Sequence, residues 1–211
     1  MKKVLFSFLA LALVSLSFLA FKNYPRLEIG QTAPSTDLVM KGVDGNDYTL
    51  DALKGENGLV VIFSCNTCPF VVGTETKEGW QGRYNRHKTT ADALGYGMVL
   101  INSNEAKRTN EDSYEAMIQH ASENGYMMNY LMDTDSKLAN AFGANTTPDV
   151  FMFNKNMELI YTGSIDDNVD DHAKVQVDYL HFAMEQNYKN GEIRIKKTKN
   201  LGCSIKRKVQ D

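Results

Sequence analysis

The 211-residue chain carries 23 Lys and Arg against 26 Asp and Glu, a formal charge of −3, with 43% hydrophobic residues. That balance excludes nucleic-acid binding as a first reading, because phosphate recognition draws on a strong basic excess. The length suits one globular domain with modest extensions, able to fold without a metal or disulfide staple. Three cysteines are too few for a disulfide scaffold, so their weight is chemical.

Lys2 and Lys3 precede the uncharged, largely apolar run Val4 to Phe21. A basic start followed by an apolar stretch reads as a secretory signal, and the run has no polar face to suit a buried amphipathic helix. Residues 1–20 are therefore expected to be a signal peptide or an N-terminal anchor. Cleavage after Ala20 leaves bulky Phe18 upstream; cleavage after Ser17 is the alternative. The expected location is a bacterial periplasm or envelope, with membrane association if the leader stays uncleaved. Cysteines there form and keep disulfides.

The next elements read as one α/β unit over residues 28–190. Leu38 to Met40 and Tyr48 to Leu50 flank the turn signal Asp44-Gly45, which predicts a hairpin. Leu59 to Phe63 is a β-branched apolar run, predicted as a buried central strand, and Met98 to Ile101 is a second. Tyr114, Met117, Ile118 and Ala121 share one helix face, with Thr109 and Asp112 as a candidate capping box. Leu138 and Phe142 share another face, ended by Gly143. Val150 to Phe153 and Leu159 to Tyr161 predict two more strands joined by a polar turn. Ala173, Val177, Leu180 and Met184 predict a last helix, ended near Asn190-Gly191. Asp166, Asp167, Asp170 and Asp171 read as an exposed acidic turn capping that helix. Residues 191–211, with Cys203 and seven basic residues, read as a solvated tail; attraction to an anionic membrane surface is the sharper reading.

The predicted central strand runs directly into Ser64-Cys65-Asn66-Thr67-Cys68-Pro69. Two cysteines three apart at a helix start can close a small disulfide ring. The first cysteine of such a pair is expected near the helix N-terminus, where backbone N–H groups favour thiolate, the nucleophile in disulfide exchange, and the second, one turn on, resolves the mixed disulfide. Pro69 suits the first helical turn. Thr147-Pro148 stands at the start of a predicted strand, where a proline lacks no needed ladder donor. A cis bond there would leave the preceding backbone open to an incoming extended peptide. A zinc site needs four ligands, and Cys203 with His87, His120, His172 and His181 shows no ligand spacing.

These residues resemble the thioredoxin-fold redoxins, the superfamily of alkyl hydroperoxide reductase/thiol-specific antioxidant domains and extracytoplasmic thioredoxins. The resemblance rests on Gly30, Ala33-Pro34, Gly45, Gly55, the apolar strand before Cys65 and Cys68, Asn102-Ser-Asn104 and Thr147-Pro148. Gly82-Arg-Tyr-Asn85 and Gly202-Cys-Ser-Ile-Lys206 are similar to segments of a bacterial subgroup. It implies a thioredoxin-like α/β fold, with a central mixed sheet, helices on both faces and an N-terminal β-hairpin. It also implies Cys65 as attacking thiol, Cys68 as resolving thiol, and Thr147 and cis-Pro148 on the substrate side.

Three departures stand out. Ser64 and Asn66-Thr67 replace the Trp and Gly-Pro of thioredoxins proper. Leu59 replaces their buried acid. The peroxiredoxin Pro and Thr are absent: the matching positions are Gly58 and Ile62 counted from Cys65, or Val61 and Cys65 counted from Cys68.

The expected activity is that of an exported thiol–disulfide oxidoreductase without a cofactor. Its expected partners are a disulfide-containing or dithiol protein, or a small thiol, plus an upstream redox partner. The alternatives are a metallochaperone holding Cu(I) or Zn through the same cysteines, a weak thiol peroxidase, or a binding module with an idle pair. Cys203 reads either as a third redox thiol or as a buried free thiol.

Overall fold

The computed structural model describes residues 24–208, so the leader expected over residues 1–20 lies outside the described residues. Among the described residues no helix is long and apolar enough to cross a membrane. A seven-stranded mixed sheet runs in the order β2-β1-β5-β4-β3-β7-β8. Its strands are β1 (Met40–Gly42), β2 (Asp47–Tyr48), β3 (Gly58–Ser64), β4 (Tyr96–Asn102), β5 (Asn129–Met132), β7 (Asp149–Asn154) and β8 (Leu159–Gly163). β3, β4 and β5 are parallel neighbours, and β7 runs antiparallel to β3.

Period-two alternation sorts the apolar strands onto two cores. Val60, Ile62, Met98, Leu100, Val150 and Met152 face one side, packed with Trp80, Tyr84, Met117, Leu180 and Met184. Leu59, Val61, Phe63, Val99, Ile101, Phe151 and Phe153 face the other, with Leu50, Leu138 and Phe142. The helices therefore lie on both faces: α3 (Tyr84–Ala93), α4 (Tyr114–Glu123) and α6 (Tyr179–Asn190) on the first, α1 (Leu50–Leu53) and α5 (Lys137–Phe142) on the second. Phe142 meets the rings of Phe63, Phe151 and Phe153 edge-on, with centroids 5.2–5.6 Å apart.

The predicted hairpin is present, but Leu50 opens α1 under the Thr49 cap and does not extend β2. Helix α4 starts later than the capping-box reading had it: Ser113 is the N-cap and accepts from Ala116 N–H. Of its predicted stripe only Met117 is fully buried, while Ile118 is exposed. The last helix begins at Tyr179 under an Asp178 cap, so Ala173 and Val177 precede it. The acidic segment does not cap it. Asp166 is buried instead, accepting from Trp80 Nε1 at 2.8 Å and pairing with Arg83.

The tail departs most from expectation. Far from being solvated throughout, it adds to β8 through Thr162 N–H to Lys196 O (3.0 Å) and Thr198 N–H to Thr162 O (3.1 Å). It then crosses the molecule and forms β9 (Cys203–Ser204) against β6 (Thr146–Thr147). Its basic side chains stay largely exposed; its anchor is the buried Ile205, whose N–H donates to Asn145 O.

Candidate active site

Strand β3 ends at Ser64, and the chain passes through Cys65 to Cys68, the N-cap of α2 (Pro69–Val72). Helix α2 is a single turn, stopped at Gly73, whose positive φ of 83° and close approach to the Lys77 and Glu78 carbonyls exclude a side chain. The helix start thus lies at the second cysteine and not at the first. Both sulfurs are buried, Cys65 at 2% and Cys68 at 3% exposure. All three cysteines are free thiols.

Thr147 touches both members of the pair. Its Oγ1 lies 3.1 Å from Cys65 Sγ, and its carbonyl oxygen lies 3.0 Å from Cys68 Sγ. The Thr147–Pro148 peptide bond is cis. The edge that the sequence left open to an incoming peptide is already paired: Thr147 sits opposite Cys203 and Thr146 opposite Ser204. Gly202 makes that approach possible, since a Cβ there would sit 2.4 Å from Thr147 O.

The thiols titrate as a linked pair. Cys68 is pulled down to about 5, first by its hydrogen bond with Cys65, then by the Cys203 thiol and the N–H groups of Cys203 and Phe70; burial opposes this. The same bond, then burial, holds Cys65 well above the ordinary thiol value. The Thr147 carbonyl accepts from the Cys68 thiol and opposes charge there, while the Thr147 hydroxyl sits beside Cys65; the balance of the two shifts favours charge on Cys68 over Cys65.

A polar hub that sequence reading missed fixes the Cys65–Cys68 loop. Asp112 is fully buried and accepts from Asn66 N–H (3.0 Å), Asn102 Nδ2 (2.7 Å) and Asn104 Nδ2 (2.9 Å). Tyr130 donates to Asn66 Oδ1 at 2.9 Å, and Ser64 shares a 3.1 Å bond with Tyr84. The Asn102-Ser-Asn104 segment flagged two of these residues; Asp112, read from the sequence as half of a capping box, instead holds the cysteine loop. Leu59, in place of an acid, is wholly buried in apolar surroundings.

The three cysteines line one cavity of about 140 Å³ with Thr67, Asn104, Lys107, Thr147 and Lys206. Among the described residues, the one cluster with three metal-ligating atoms inside 4.8 Å of one another is Glu78, Asp171 and His172, far in kind from a thiolate site. The three sulfurs are not such a cluster among the described residues.

A family model described as Redoxin matches residues 28–177. Among solved structures, an uncharacterized conserved protein from Geobacillus kaustophilus is 32% identical, with 88% of this chain and 95% of that one covered and a TM-score of 0.77. A hypothetical protein from Sinorhizobium meliloti 1021 is 28% identical, with 88% and 98% covered and a TM-score of 0.77. The bacterioferritin comigratory protein of Xanthomonas campestris is similar in fold, at 19% identity, 77% and 98% covered, and a TM-score of 0.56. No curated protein matches the chain.

Proposed function

The chain belongs to the Redoxin family, a thiol-dependent oxidoreductase or peroxidase group, and on that premise we propose that it is a thiol–disulfide oxidoreductase working through Cys65 and Cys68. The observation that carries this reading is the buried pair against Thr147, whose hydroxyl lies 3.1 Å from Cys65 Sγ and whose carbonyl lies 3.0 Å from Cys68 Sγ. Cys68 thiolate attacks one sulfur of a substrate disulfide, and the substrate's other sulfur leaves as thiolate. Cys65 then attacks Cys68, passes its proton to the departing substrate sulfur and closes the Cys65–Cys68 disulfide. The substrate gains two electrons and the pair loses two; with an oxidised enzyme the steps run backwards. These roles exchange those implied by the family resemblance, because Cys68 is the N-cap of α2 and its thiol is held lower than that of Cys65.

The small cavity suits a compact disulfide or one carried on a protein loop, with Lys107 and Lys206 favouring anionic groups. The chain works outside the cytosol in this reading, which is supported by Lys2, Lys3 and the apolar run after them.

The test is a titration of the leader-less chain in glutathione and dithiothreitol buffers, read by alkylation and mass spectrometry. A reversible Cys65–Cys68 disulfide is expected. A potential near about −270 mV marks a reductant and one near about −120 mV an oxidant. A pair locked in one state across the whole range refutes the reading.

A further inference from the structure

We propose that Cys203, carried to the site by the C-terminal strand, is a second resolving thiol for Cys68. The inference rests on the redox reading above, but it concerns a residue that the pair does not require.

Cys68 has a thiol neighbour on each side. Cys65 lies on the inner side. Cys203 packs against the Cys65–Cys68 cluster from the tail and lines the same cavity as both. That placement is built and not incidental. β9 pairs with β6 in a register that sets Cys203 opposite Thr147, the residue in contact with both working sulfurs. Backbone bonds clamp the strand beyond it: Lys206 N–H donates to Asn104 Oδ1 at 2.8 Å, Ala106 N–H to Lys206 O at 2.8 Å, and Ile205 N–H to Asn145 O at 2.9 Å. Asn104 is itself held by Asp112, the acid that fixes the Cys65–Cys68 loop. One network thus positions the pair and the third thiol together.

The step balances without an added oxidant. Cys68 thiolate attacks a substrate disulfide, forming a mixed disulfide and releasing one substrate thiolate. Cys203 then attacks Cys68 Sγ, the bond to the second substrate sulfur breaks, and the Cys203 proton goes to that sulfur. The products are a Cys68–Cys203 disulfide and a substrate reduced by two electrons. Burial first, and then the bond to Cys68, hold the Cys203 thiol up at about 11, while Lys206 and Lys107 pull it down. Once Cys68 is in a mixed disulfide it carries no charge. The part of that upward push due to Cys68 disappears, and Cys203 ionises more readily at the step that uses it.

The test oxidises Cys65→Ser with glutathione disulfide and digests it with trypsin without reduction. Cleavage after Lys77 and Lys199 puts Cys68 and Cys203 on separate peptides. The expected result is a linked Cys68–Cys203 pair, lost in Cys65→Ser/Cys203→Ser, where glutathione stays trapped on Cys68. Wild-type chain, quenched with acid after brief oxidation, should show the same linked peptides as a minor species, which covers a Cys65→Ser chain that does not fold. Glutathione on Cys68 with Cys203 free in Cys65→Ser, and no linked peptides in wild type, overturns the proposal and leaves the Cys65–Cys68 reading standing. Wild-type chain that forms no disulfide at Cys68 overturns both.

Discussion

Replacing Cys65 by Ala removes the strongest influence that holds the Cys68 thiol down to about 5. At pH 6 a thiol at that value is about 90% ionised, whereas one at the ordinary 8.5 is about 0.3% ionised. The variant should therefore lose up to about 300-fold of its thiolate at pH 6. The loss is an upper bound, because the Cys203 and Phe70 donors remain. Cys65→Ser should lose less, since a hydroxyl can still donate to Cys68. Both sulfurs are buried, so thiolate absorbance in the ultraviolet is a better readout than alkylation rate, which also reports access. The wild-type chain should show an acidic midpoint that Cys65→Ala moves upward by several pH units. A midpoint that stays acidic in Cys68→Ala would place the thiolate on Cys65, and the assignment of roles made from the helix cap would be wrong.

Two further predictions concern stability. Arg26 donates to both oxygens of the fully buried Asp149 at 2.7 and 2.6 Å, so Arg26→Leu should cost about 3–5 kcal/mol by stranding that carboxylate. A urea-measured loss below about 1 kcal/mol would show the pair to be dispensable. His87 is buried, neither ring nitrogen has a hydrogen-bond partner, and burial first pulls it down to about 3. Between that value and about 6.5 the unfolded chain binds a proton that the folded chain refuses, so stability falls as pH falls through this window, by at most roughly 5 kcal/mol. His87→Leu should flatten this part of the stability curve relative to wild type. Parallel curves for the two chains would refute it.

What the sequence disclosed follows the range of the forces involved. β3, β4 and β7 were legible because each is a continuous apolar run, and the buried interior of a covered sheet requires that. The cysteine pair and Thr147-Pro148 were legible because short spacing and proline carry local meaning. The start of α6 was not, because Ala173 and Val177 continue its period by chance while Asp178 caps it. Asp112 was legible only as a capping-box member, because its three amide partners come from two other segments of the chain. The docked tail escaped because a basic stretch reads as solvated; its signals are Ile193 and Ile205 among charges, with Gly202 beside Cys203. Two-residue strands such as β6 and β9 fall below what periodicity can resolve.

The pairing of β9 with β6 also sets a threshold for competitors. Lys199 is pinned by Ser164 Oγ at 2.6 Å, and only Asn200 to Gly202 separate it from Cys203. A segment on so short a tether presents itself at an effective concentration of roughly millimolar or above. A free peptide able to make the same backbone bonds must reach that concentration merely to share the edge with the chain's own strand. In the proposed function, unfolded chains offering generic extended segments would thereby be kept from the buried thiols, while a disulfide approaching through the cavity beside Lys107 and Lys206 would meet no such rival.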